Sequence, residues 1–487
     1  NGDGTYTLIS KMSGYCLDLS GGVCEKGKNI SQYYYNGTAA QKWGFVPVSP
    51  SEITIVSLPN ITEYYIGSNL DTDGAVIQVK YEIGTFKDIT YDVSYAYKFS
   101  KPGKTNVFVK YNINGVTLKD AFNVTIKEAP FDGNGTENNP YLISSKEDLE
   151  MMRDLINNED SSAAFRNCTY LQTIDIDLKN EKWTPIGKRD FDEVATERLF
   201  AGHYNGNYHT ISGLYVNETT KYAGLFGSTG TEPAIIENLA VEGTVNSTDI
   251  SVGGICGEIC GKNGIIQNCS FIGNVSGGEQ AVGGVVGYIW QSGSVIDCYH
   301  NGTVTSNGGR IIGGVVGNIH TGGSEDSNTV LIQNCYHVGT LSGASDAAGT
   351  IAGIVSVDTQ HESSVTIENC YALQGEGNAI GSGKANTQDI IFLKPALMKS
   401  AASSLGTLYK KNTDDSFNSG YPIHTWQNSV VGDCNNDGSF TVADVVMLQK
   451  WLLNDGTVLV NWKAVDLYED DMLNVFDLAL MKQLVLE

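Results

Sequence analysis

The sequence predicts a mainly β protein whose centre is a parallel β-solenoid and whose C terminus is α-helical. Glycine accounts for 56 of the 487 residues and proline for only 10, a composition that favours many short strands joined by turns. A glycine-rich motif recurs along the middle of the chain, and three copies start at Val252, Val282 and Ile312, at intervals of 30 residues. Such a period indicates coils that stack so that equivalent side chains lie above one another.

Length and charge narrow the range of functions. A chain of 487 residues is too long to fold around one compact core, so about three or four domains are expected. Its net charge of −24, from 55 acidic and 31 basic residues, argues against nucleic-acid binding because a phosphate backbone would be repelled. No apolar run approaches the roughly 18 residues of a membrane-spanning helix. The chain begins at Asn1 without Met or a signal peptide, so we expect a mature product or the C-terminal part of something longer.

Residues 1–47 contain short strands around the segment 14–19 and the closing Gln-Lys-Trp at 41–43. They resemble one repeat of a ricin-type β-trefoil. A trefoil buries its core among three repeats, so two further repeats are expected before Asn1. The resemblance implies a sugar pocket in which polar groups bond hydroxyls and a ring covers the apolar sugar face. The expected sugar-binding residues are Asp18, Tyr34, Asn36 and Gln41; alternatively, the tyrosines at 33, 34 and 35 only pack the trefoil core.

Residues 51–128 alternate apolar and polar side chains as strands do, most clearly at 75–81 and 106–111, with a Lys-Pro-Gly-Lys break at 101–104. The pattern resembles a bacterial immunoglobulin-like β-sandwich. Such domains are usually spacers, and no catalytic set of residues occurs in this segment.

Residues 130–428 form the largest region. After a turn-rich stretch at 131–143, an amphipathic helix is expected at Lys146–Asn157, N-capped by Ser145 with Asp148 three residues on. We expect this helix to cover one end of a stacked sheet, since open stacks need polar caps.

The glycine motifs of this region are each followed by a strand. They resemble GLUG repeats, which occur in right-handed β-helices of bacterial surface and secreted proteins, and flanking segments at 205–214 and 420–426 fit the same family. The resemblance implies a right-handed parallel β-helix over 130–428. The five copies lie at 223–227, 252–257, 282–287, 312–317 and 351–355.

The ten cysteines are predicted to be mainly structural. Cys16 and Cys24 lie close enough in sequence to pair, and Cys256 and Cys260 lack the second pair of ligands that a zinc site needs. Four cysteines follow an Asn or Asp at the start of a repeated strand, which indicates a ladder of small buried side chains. These four are Cys269, Cys298, Cys335 and Cys370.

Catalytic signals in the solenoid are sparse. A lyase or glycosidase would need two or more carboxylates about one coil apart, or a Lys or Arg base beside calcium-binding acids. Glu237 and Glu368 share a register, but glutamines occupy that register between them. His300 and His337 also share a register, for which we expect stacking on the solenoid surface, with an imidazole role as the alternative. No His-Glu-x-x-His, Gly-x-Ser-x-Gly or Walker motif occurs, and no catalytic residue is predicted.

The C-terminal segment 430–487 contains one oxygen-rich loop twice, 33 residues apart. The first loop, 433–444, carries Asp or Asn at positions 1, 3 and 5, Gly at position 6 and Asp at position 12, which is the oxygen pattern of a calcium loop. The second loop, 466–477, repeats most of it, and an apolar helix face follows each loop. Two loop-helix units that bind Ca²⁺ are therefore predicted, the alternative being an acidic helical hairpin.

Position 12 is Asp instead of Glu and little helix precedes either loop, so the segment resembles a dockerin. Dockerins anchor secreted enzymes and accessory proteins of anaerobic polysaccharide-degrading bacteria to cohesin domains of cellulosome-like scaffolds. The second site should be the weaker, since Tyr468 replaces a short oxygen donor and Asp471 replaces the glycine. The expected calcium ligands are Asp433, Asn435, Asp437, Ser439, Thr441 and Asp444 in the first loop, and Asp466, Asp470, the Met472 carbonyl, Asn474 and Asp477 in the second.

The resemblance also implies that cohesin contacts loop positions 10 and 11 and the helix that follows. Small residues stand there in one half and an aromatic residue in the other, which predicts one dominant binding orientation. The expected cohesin-binding residues are Val442, Ala443, Lys450, Val475, Phe476 and Lys482.

Two hypotheses about function follow. In the first, the protein is a secreted, extracellular component of a cell-surface or free multienzyme complex, and the β-helix is a carbohydrate-binding or adhesion module with a polysaccharide ligand. In the second, it is a β-helical polysaccharide lyase or glycoside hydrolase whose acids come together from loops. The absence of a dense acidic and aromatic patch in the strand register favours the first.

Overall fold

The chain folds into two compact units. One comprises residues 1–64 and 69–127, and the other comprises 65–68 and 128–487. The finer predicted division, at 1–47, 51–128, 130–428 and 430–487, stays a prediction. The computed structural model describes all residues except 46–47, 67, 129, 159–161, 190–197, 219–220, 231–232, 249, 278–279, 309–310, 324–326, 344–346, 429, 436–438, 458, 460, 469–471 and 487.

The first unit begins with a small two-stranded sheet. Strands β1 (Cys16–Leu19) and β2 (Ile30–Tyr33) pair antiparallel, and a short 3₁₀ helix follows at Ala39–Gln41. Cys16 is buried and Cys24 is exposed, and both are free thiols. Two isolated bridges close the segment, one joining Tyr6 to Trp43 and the other joining Ile9 to Cys16.

Two antiparallel sheets complete the first unit, one of three strands and the other of four. The longest strands alternate as predicted: Val107 and Val109 are buried in one, and Phe122 and Val124 are buried in the other. The strands are β3 (Pro50–Ser57), β4 (Glu63–Tyr65), β5 (Val76–Tyr81), β6 (Phe86–Asp88), β7 (Ser94–Ala96), β8 (Gly103–Ile113) and β9 (Val116–Lys127). Their order is β3-β5-β6 in one sheet and β4-β9-β8-β7 in the other.

The second unit is dominated by one parallel, solenoid-like sheet, in which the described residues form twenty strands. Val252 lies opposite Val282 and Val282 lies opposite Ile312, so the predicted 30-residue repeat is confirmed as a structural register. The strands are β10 (Tyr141–Ile143), β11 (Thr169–Gln172), β12 (Ile176–Asp177), β13 (His203–Glu218), β14 (Tyr222–Ala223), β15 (Phe226–Ser228), β16 (Ile235–Ser247), β17 (Ser251–Gly253), β18 (Cys256–Gly277), β19 (Ala281–Gly283), β20 (Val286–Ile296), β21 (Tyr299–Ser306), β22 (Ile311–Gly313), β23 (Val316–His320), β24 (Thr329–Gln333), β25 (Tyr336–Ser342), β26 (Ala347–Ser356), β27 (Ser364–Leu373), β28 (Asn378–Gly383) and β29 (Asn386–Leu393).

The last predicted copy of the glycine motif is out of register. Ile312 lies opposite Ala348 and Gly313 lies opposite Gly349, so Ile351 is not the counterpart of Ile312. The hydrogen-bonded ladder, and not resemblance to the glycine motif, shows which residues of neighbouring coils are paired. A further strand, β28, also pairs with β26, so the coil that carries Gly353 has neighbours on both sides.

The first helix, α1, spans Lys146–Asn157 as predicted. Ser145 caps it by accepting a hydrogen bond from the backbone N–H of Asp148, which satisfies one of the free N–H groups of the first turn. Leu149 and Met152 are fully buried and join the core of the solenoid. A second short helix, α2 (Ser162–Phe165), follows it.

Buried tyrosines form a separate cluster outside the main core of the coils. Tyr299 and Tyr336 stack with ring centroids 4.9 Å apart, and the segment after the last coil packs on them through Met398, Leu405 and Tyr409. This segment contains α3 (Pro395–Met398), α4 (Ala402–Leu405), the antiparallel pair β30 (Tyr409–Lys410) and β31 (Ile423–His424), and a 3₁₀ helix at Asn418–Gly420.

The predicted cysteine ladder is confirmed, since Cys269, Cys298, Cys335 and Cys370 are fully buried in the core. The residue before each of them has a left-handed backbone, which Asn and Asp tolerate better than other side chains. Amide side chains bond along this turn, for example from Asn268 to Asn238 at 2.7 Å. The left-handed residues are Asn268, Asp297, Asn334 and Asn369, with φ between 48° and 54°.

His300 and His337 lie inside the solenoid, so the predicted surface stacking is wrong. Their rings are parallel with centroids 5.0 Å apart, and both side chains are buried. The ring of Phe271 stacks on His300 from the preceding coil, which shows that this column faces inward.

The C-terminal segment has the two predicted loop-helix units. Helix α5 spans Val442–Leu452 and helix α6 spans Val475–Leu484, with a 3₁₀ turn at Lys463–Val465 between them. Leu448, Val465 and Met481 form the centre of its small core. No helix within the described residues is long and apolar enough to cross a membrane.

Candidate functional site

The first oxygen-rich loop converges on Asp444, the third residue of α5. One carboxylate oxygen of Asp444 accepts hydrogen bonds from the backbone N–H (2.8 Å) and the hydroxyl (3.1 Å) of Thr441. The other oxygen lies 3.4 Å from the backbone nitrogen of Asn435. Thr441 in turn caps the helix, so a capping box holds Asp444 against the loop. Asp433, at the first loop position, is also buried.

The second loop repeats this arrangement 33 residues further on. One oxygen of Asp477 accepts from the backbone N–H of Asn474 at 2.9 Å, and the other accepts from the backbone N–H of Tyr468 at 3.0 Å. Asn474 caps α6, and Asp477 completes a second capping box. The duplication seen in the sequence is therefore also a duplication of hydrogen-bond geometry.

The side-chain oxygens of the two loops are the kind of ligand that calcium prefers. Asp444 and Asp477 are fully buried, and across the described part of the chain neither forms an ion pair with Lys, Arg or His. A buried carboxylate without a positive partner is costly, and a cation held by oxygen donors would balance it.

The remaining predicted ligands are only partly described. Asp437 and Asp470 lie outside the described residues, and within those residues no three His, Cys, Asp or Glu side chains gather into a metal cluster. Ser439 is exposed and Asp466 is half-buried. The Met472 carbonyl accepts a hydrogen bond from the Asn474 side chain at 3.0 Å.

The residues predicted to bind cohesin are all exposed. Val442 is 61% exposed, Val475 66% and Phe476 61%, and Ala443, Lys450 and Lys482 are exposed as well. They lie at the start of α5 and α6 and, for the two lysines, further along these helices. Each repeat therefore has an exposed surface that cohesin could contact.

An aromatic pair on the second repeat was missed by the sequence analysis, which treated Tyr468 only as a defective ligand. Tyr468 stacks on Phe476 with ring centroids 5.6 Å apart, and both rings are exposed. The corresponding residues of the first repeat are Asn435 and Ala443. Two aromatic residues at loop positions 3 and 11 were the signal that could have found this pair.

The N-terminal repeat contains a cleft of about 580 Å³ lined in part by Asp18, Tyr33 and Asn36. Gln41 lies buried behind it, donating to the Asp18 carboxylate at 3.0 Å and accepting from the backbone N–H of Asn36 at 2.9 Å. Tyr34 is exposed and its hydroxyl accepts from the Tyr33 hydroxyl. The four predicted residues are thus close together, but the ring in the cleft lining is that of Tyr33.

The solenoid acids noted in the sequence are held by neighbouring polar groups. Glu237 bonds His203 at 2.9 Å and accepts from Gln267 at 2.6 Å. Glu368 accepts from Gln333 on the adjacent strand. Such pairing along a register stabilises outward-facing polar side chains.

Sequence reasoning also missed a buried ion pair between Arg189 and Glu258. The Arg189 guanidinium lies 2.9 Å from the Glu258 carboxylate and 4.7 Å from the centre of the Trp290 ring. Burial raises the pKa of Glu258, and Arg189 opposes that shift. The two residues are 69 positions apart, so no sequence spacing indicates the pair.

Two family comparisons match the two ends of the chain. Residues 431–486 match the dockerin type I domain. This segment is a dockerin. Residues 1–79 match the ricin-type β-trefoil lectin domain-like family, which extends past the predicted boundary at residue 47.

More distant similarities involve parts of the chain. Halomucin of Haloquadratum walsbyi is 30% identical over 161 residues, which are 27% of this chain and 2% of that protein. The chain therefore spans only a small part of this relative. A solved structure described as "a putative immunoglobulin A1 protease" from Bacteroides ovatus is 20% identical and covers 61% of this chain and 95% of its own, with a TM-score of 0.44. A second one, described as "IgA1 Protease", covers 67% of this chain and 27% of its own, with 14% identity and a TM-score of 0.28.

The match to the dockerin family indicates which partners and which metal such a domain binds. Domains of this family have cohesins as partners and generally bind calcium, and proteins that carry them are typically extracellular.

Proposed function

We propose that this protein is a secreted component of a cellulosome-like complex, anchored by calcium-dependent binding of its dockerin to a scaffold cohesin. The repeated loop geometry carries this proposal. Asp444 and Asp477 are buried at the starts of their helices and accept the same kinds of N–H donor. Beside them, Val442, Val475 and Phe476 are exposed. Calcium in each loop would balance the buried carboxylates and leave the exposed residues for cohesin.

Two calcium sites of unequal strength fit this role. In the second loop, the Tyr468 ring stacks on Phe476 and its backbone N–H donates to Asp477. Tyr468 therefore offers no short side-chain oxygen donor at loop position 3, where the first loop has Asn435. One ligand fewer supports a lower affinity at the second site.

The solenoid is proposed to be a non-catalytic module for carbohydrate binding or adhesion, built of right-handed GLUG-type coils. Right-handed connection between parallel strands of one sheet is the strong default. Glu237 and Glu368 are four register steps apart, and each is bonded by a glutamine. Separated acids of this kind do not form the pair that glycoside hydrolysis requires. The immunoglobulin-like segment would act as a spacer, and the cleft beside Asp18 would accept a sugar.

Surface plasmon resonance on a panel of immobilised cohesins tests the anchoring role. The full chain should bind at least one cohesin in calcium and dissociate when a chelator is added. No binding to a broad panel would contradict the proposal.

A polysaccharide panel tests the role of the solenoid. The full chain should bind a glycan without releasing reducing sugars or unsaturated products. Release of such products would favour the lyase or hydrolase alternative.

A further inference from the structure

The dockerin contacts the solenoid through the segment that joins its two repeats. The Lys463 ammonium lies 2.6 Å from Nε2 of His209, to which it donates. Nδ1 of the same imidazole lies 3.1 Å from the Asp175 carboxylate. Lysine donates only, so His209 accepts at Nε2 and its Nδ1–H donates to Asp175. A chain of hydrogen bonds therefore runs from Lys463 of the dockerin through the His209 ring to the Asp175 carboxylate of the solenoid.

An aromatic contact lies beside this hydrogen-bond chain. The Trp462 ring meets the Tyr208 ring edge to face at 6.4 Å, and Tyr208 meets Trp426 in the same manner at 5.9 Å. Edge-to-face arrangements at such distances are favourable. Tyr208 is thus placed between a tryptophan that follows the solenoid coils and a tryptophan of the dockerin.

The solenoid turn that presents Tyr208 is strained. Asn207 has φ 47° and Tyr208 has φ 64°. A left-handed backbone is tolerated by Asn but is unfavourable for a large aromatic residue. The strain persists only where surrounding contacts compensate for it, and the contacts of Tyr208 with Trp426 and Trp462 supply such compensation.

We propose that the dockerin is docked on the solenoid instead of being tethered to it by a free linker. The docking contact consists of Asp175, Tyr208, His209 and Trp426 on one side and Trp462 and Lys463 on the other, and is called the latch below. Its partner is this chain's own dockerin, and the inference rests on the proposed calcium-dependent fold of that domain.

The latch leaves the cohesin surface free. Val442 and Phe476 keep 61% of their surface exposed with the solenoid in place. The docked dockerin therefore keeps these predicted cohesin-binding residues accessible to a scaffold.

The latch also depends on the dockerin fold. The carbonyl of Ala464, next to Lys463, accepts from the backbone N–H of Gly432 just before the first loop, and Val465 is fully buried. Lys463 and Trp462 are therefore positioned by the folded dockerin. Because docking and calcium binding both require that fold, each should strengthen the other.

Small-angle X-ray scattering of the full chain in calcium tests the docking. Tyr208→Ala, on the solenoid, and Trp462→Ala, on the dockerin, should each increase the radius of gyration. Trp451→Ala, which removes a partly exposed tryptophan of α5 outside the latch, should not. Tyr208→Ala leaves the dockerin sequence intact, so its result does not depend on whether Trp462→Ala folds. Unchanged scattering from both latch variants would overturn the proposal.

Calorimetric titration with calcium provides an independent measurement. Tyr208→Ala should lower the calcium affinity of the full chain by about fivefold or more, the usual lower range for coupled sites, whereas Trp451→Ala should not. Equal affinities for the parent chain and Tyr208→Ala would count against the latch. A parent chain that binds no calcium would overturn the proposed function instead, and the scattering comparison would still decide the latch.

Discussion

At the residue scale, the buried histidines form a directed hydrogen-bond chain. His300 Nε2 lies 3.0 Å from the Gly273 carbonyl, which can only accept, so this nitrogen carries the proton. Its Nδ1 must then accept from the Nδ1–H of His337, 3.0 Å away. His337 is left with an unprotonated Nε2 that has no hydrogen-bond partner among the described residues. Both rings are buried, and burial disfavours a charged imidazole, so this neutral arrangement is the favoured one.

Acid should destabilise the solenoid through this pair. Burial lowers the pKa of His300 to about 4, and burial together with His300 lowers the pKa of His337 well below its usual value. The unfolded chain takes up protons below about pH 6.5 and the folded chain does not. The contribution of this pair to the free energy of unfolding is therefore fully present above about pH 6.5. It falls toward pH 4 by about 1.4 kcal/mol per pH unit for each histidine.

Scanning calorimetry of the full chain from pH 7 to pH 4 measures this effect. His337→Phe should be less stable at pH 7, since His300 loses its donor, but its stability should depend less on pH. A phenyl ring already occupies this column at Phe271, which stacks on His300. The control is His361→Gln, which removes a half-buried histidine paired with Asp358. Identical pH dependence in the parent chain and His337→Phe would refute the mechanism.

Asp444 should be essential for calcium binding. Asp444→Asn keeps the shape and one acceptor oxygen but removes the charge, and we expect a loss of at least about tenfold in calcium affinity at the first site. Tyr468→Ala should leave affinity nearly unchanged, because the Tyr468 backbone N–H that bonds Asp477 remains. Calorimetric titration of the full chain compares the two. A smaller effect from Asp444→Asn than from Tyr468→Ala would contradict the ligand assignment.

At the element scale, glycines set how closely neighbouring coils approach. At Gly284, an added Cβ would lie 2.2 Å from the Gly314 carbonyl oxygen and 2.4 Å from the His300 ring. Gly254 and Gly314 are similarly crowded against Phe271 and His337. None of the three has a positive φ, so close approach alone, and not backbone strain, requires glycine there.

Gly284→Ala should therefore cost more than the roughly 1 kcal/mol of an ordinary glycine substitution, and we expect about 2 to 4 kcal/mol. Gly44→Ala is the control, because no atom lies within 4 Å of its added Cβ. Gly353→Ala should also be severe, since its Cβ would meet the Gly317 carbonyl oxygen at 2.4 Å and its coil has neighbours on both sides. Thermal unfolding decides the matter, and equal small shifts for Gly284→Ala and Gly44→Ala would argue against tight coil stacking.

At the scale of the whole molecule, the two dockerin faces are not equivalent. The second repeat exposes the stacked pair of Tyr468 and Phe476, whereas the first exposes Val442 and Ala443. Exposed aromatic residues commonly dominate the binding energy of an interface. The second repeat should therefore provide the main cohesin contact, in one dominant orientation.

Phe476→Ala should weaken cohesin binding by about 2 kcal/mol or more. Val442→Asp should have little effect on cohesin binding. Val442 lies on the first repeat, and this surface would stay in solvent when cohesin binds the second repeat. Leu453→Ala, at an exposed position beyond the end of α5, is the control for surface changes. Binding measured by surface plasmon resonance distinguishes the faces, and equal losses from Phe476→Ala and Val442→Asp would exclude a one-sided mode.

Much of the fold was determined by the sequence alone, because its signals are local or periodic. The Ser145 cap defines the start of α1, the 30-residue period defines the stacking of Val252 on Val282, and the 33-residue period defines the two loop-helix units. Each of these depends on residues close in sequence or on a pattern repeated at a constant interval.

The tertiary structure decided what depends on distant residues meeting. His300 and His337 are inside because Gly284 and Gly314 leave room for their rings, and a shared register does not say which side of a strand faces the core. Ala348, and not Ile351, lies opposite Ile312, which only the hydrogen-bonded ladder reveals. The contacts of Arg189 with Glu258 and of Lys463 with His209 join residues far apart in the chain. No local pattern encodes such pairs, because their energy depends on burial and distance that arise only in the folded chain.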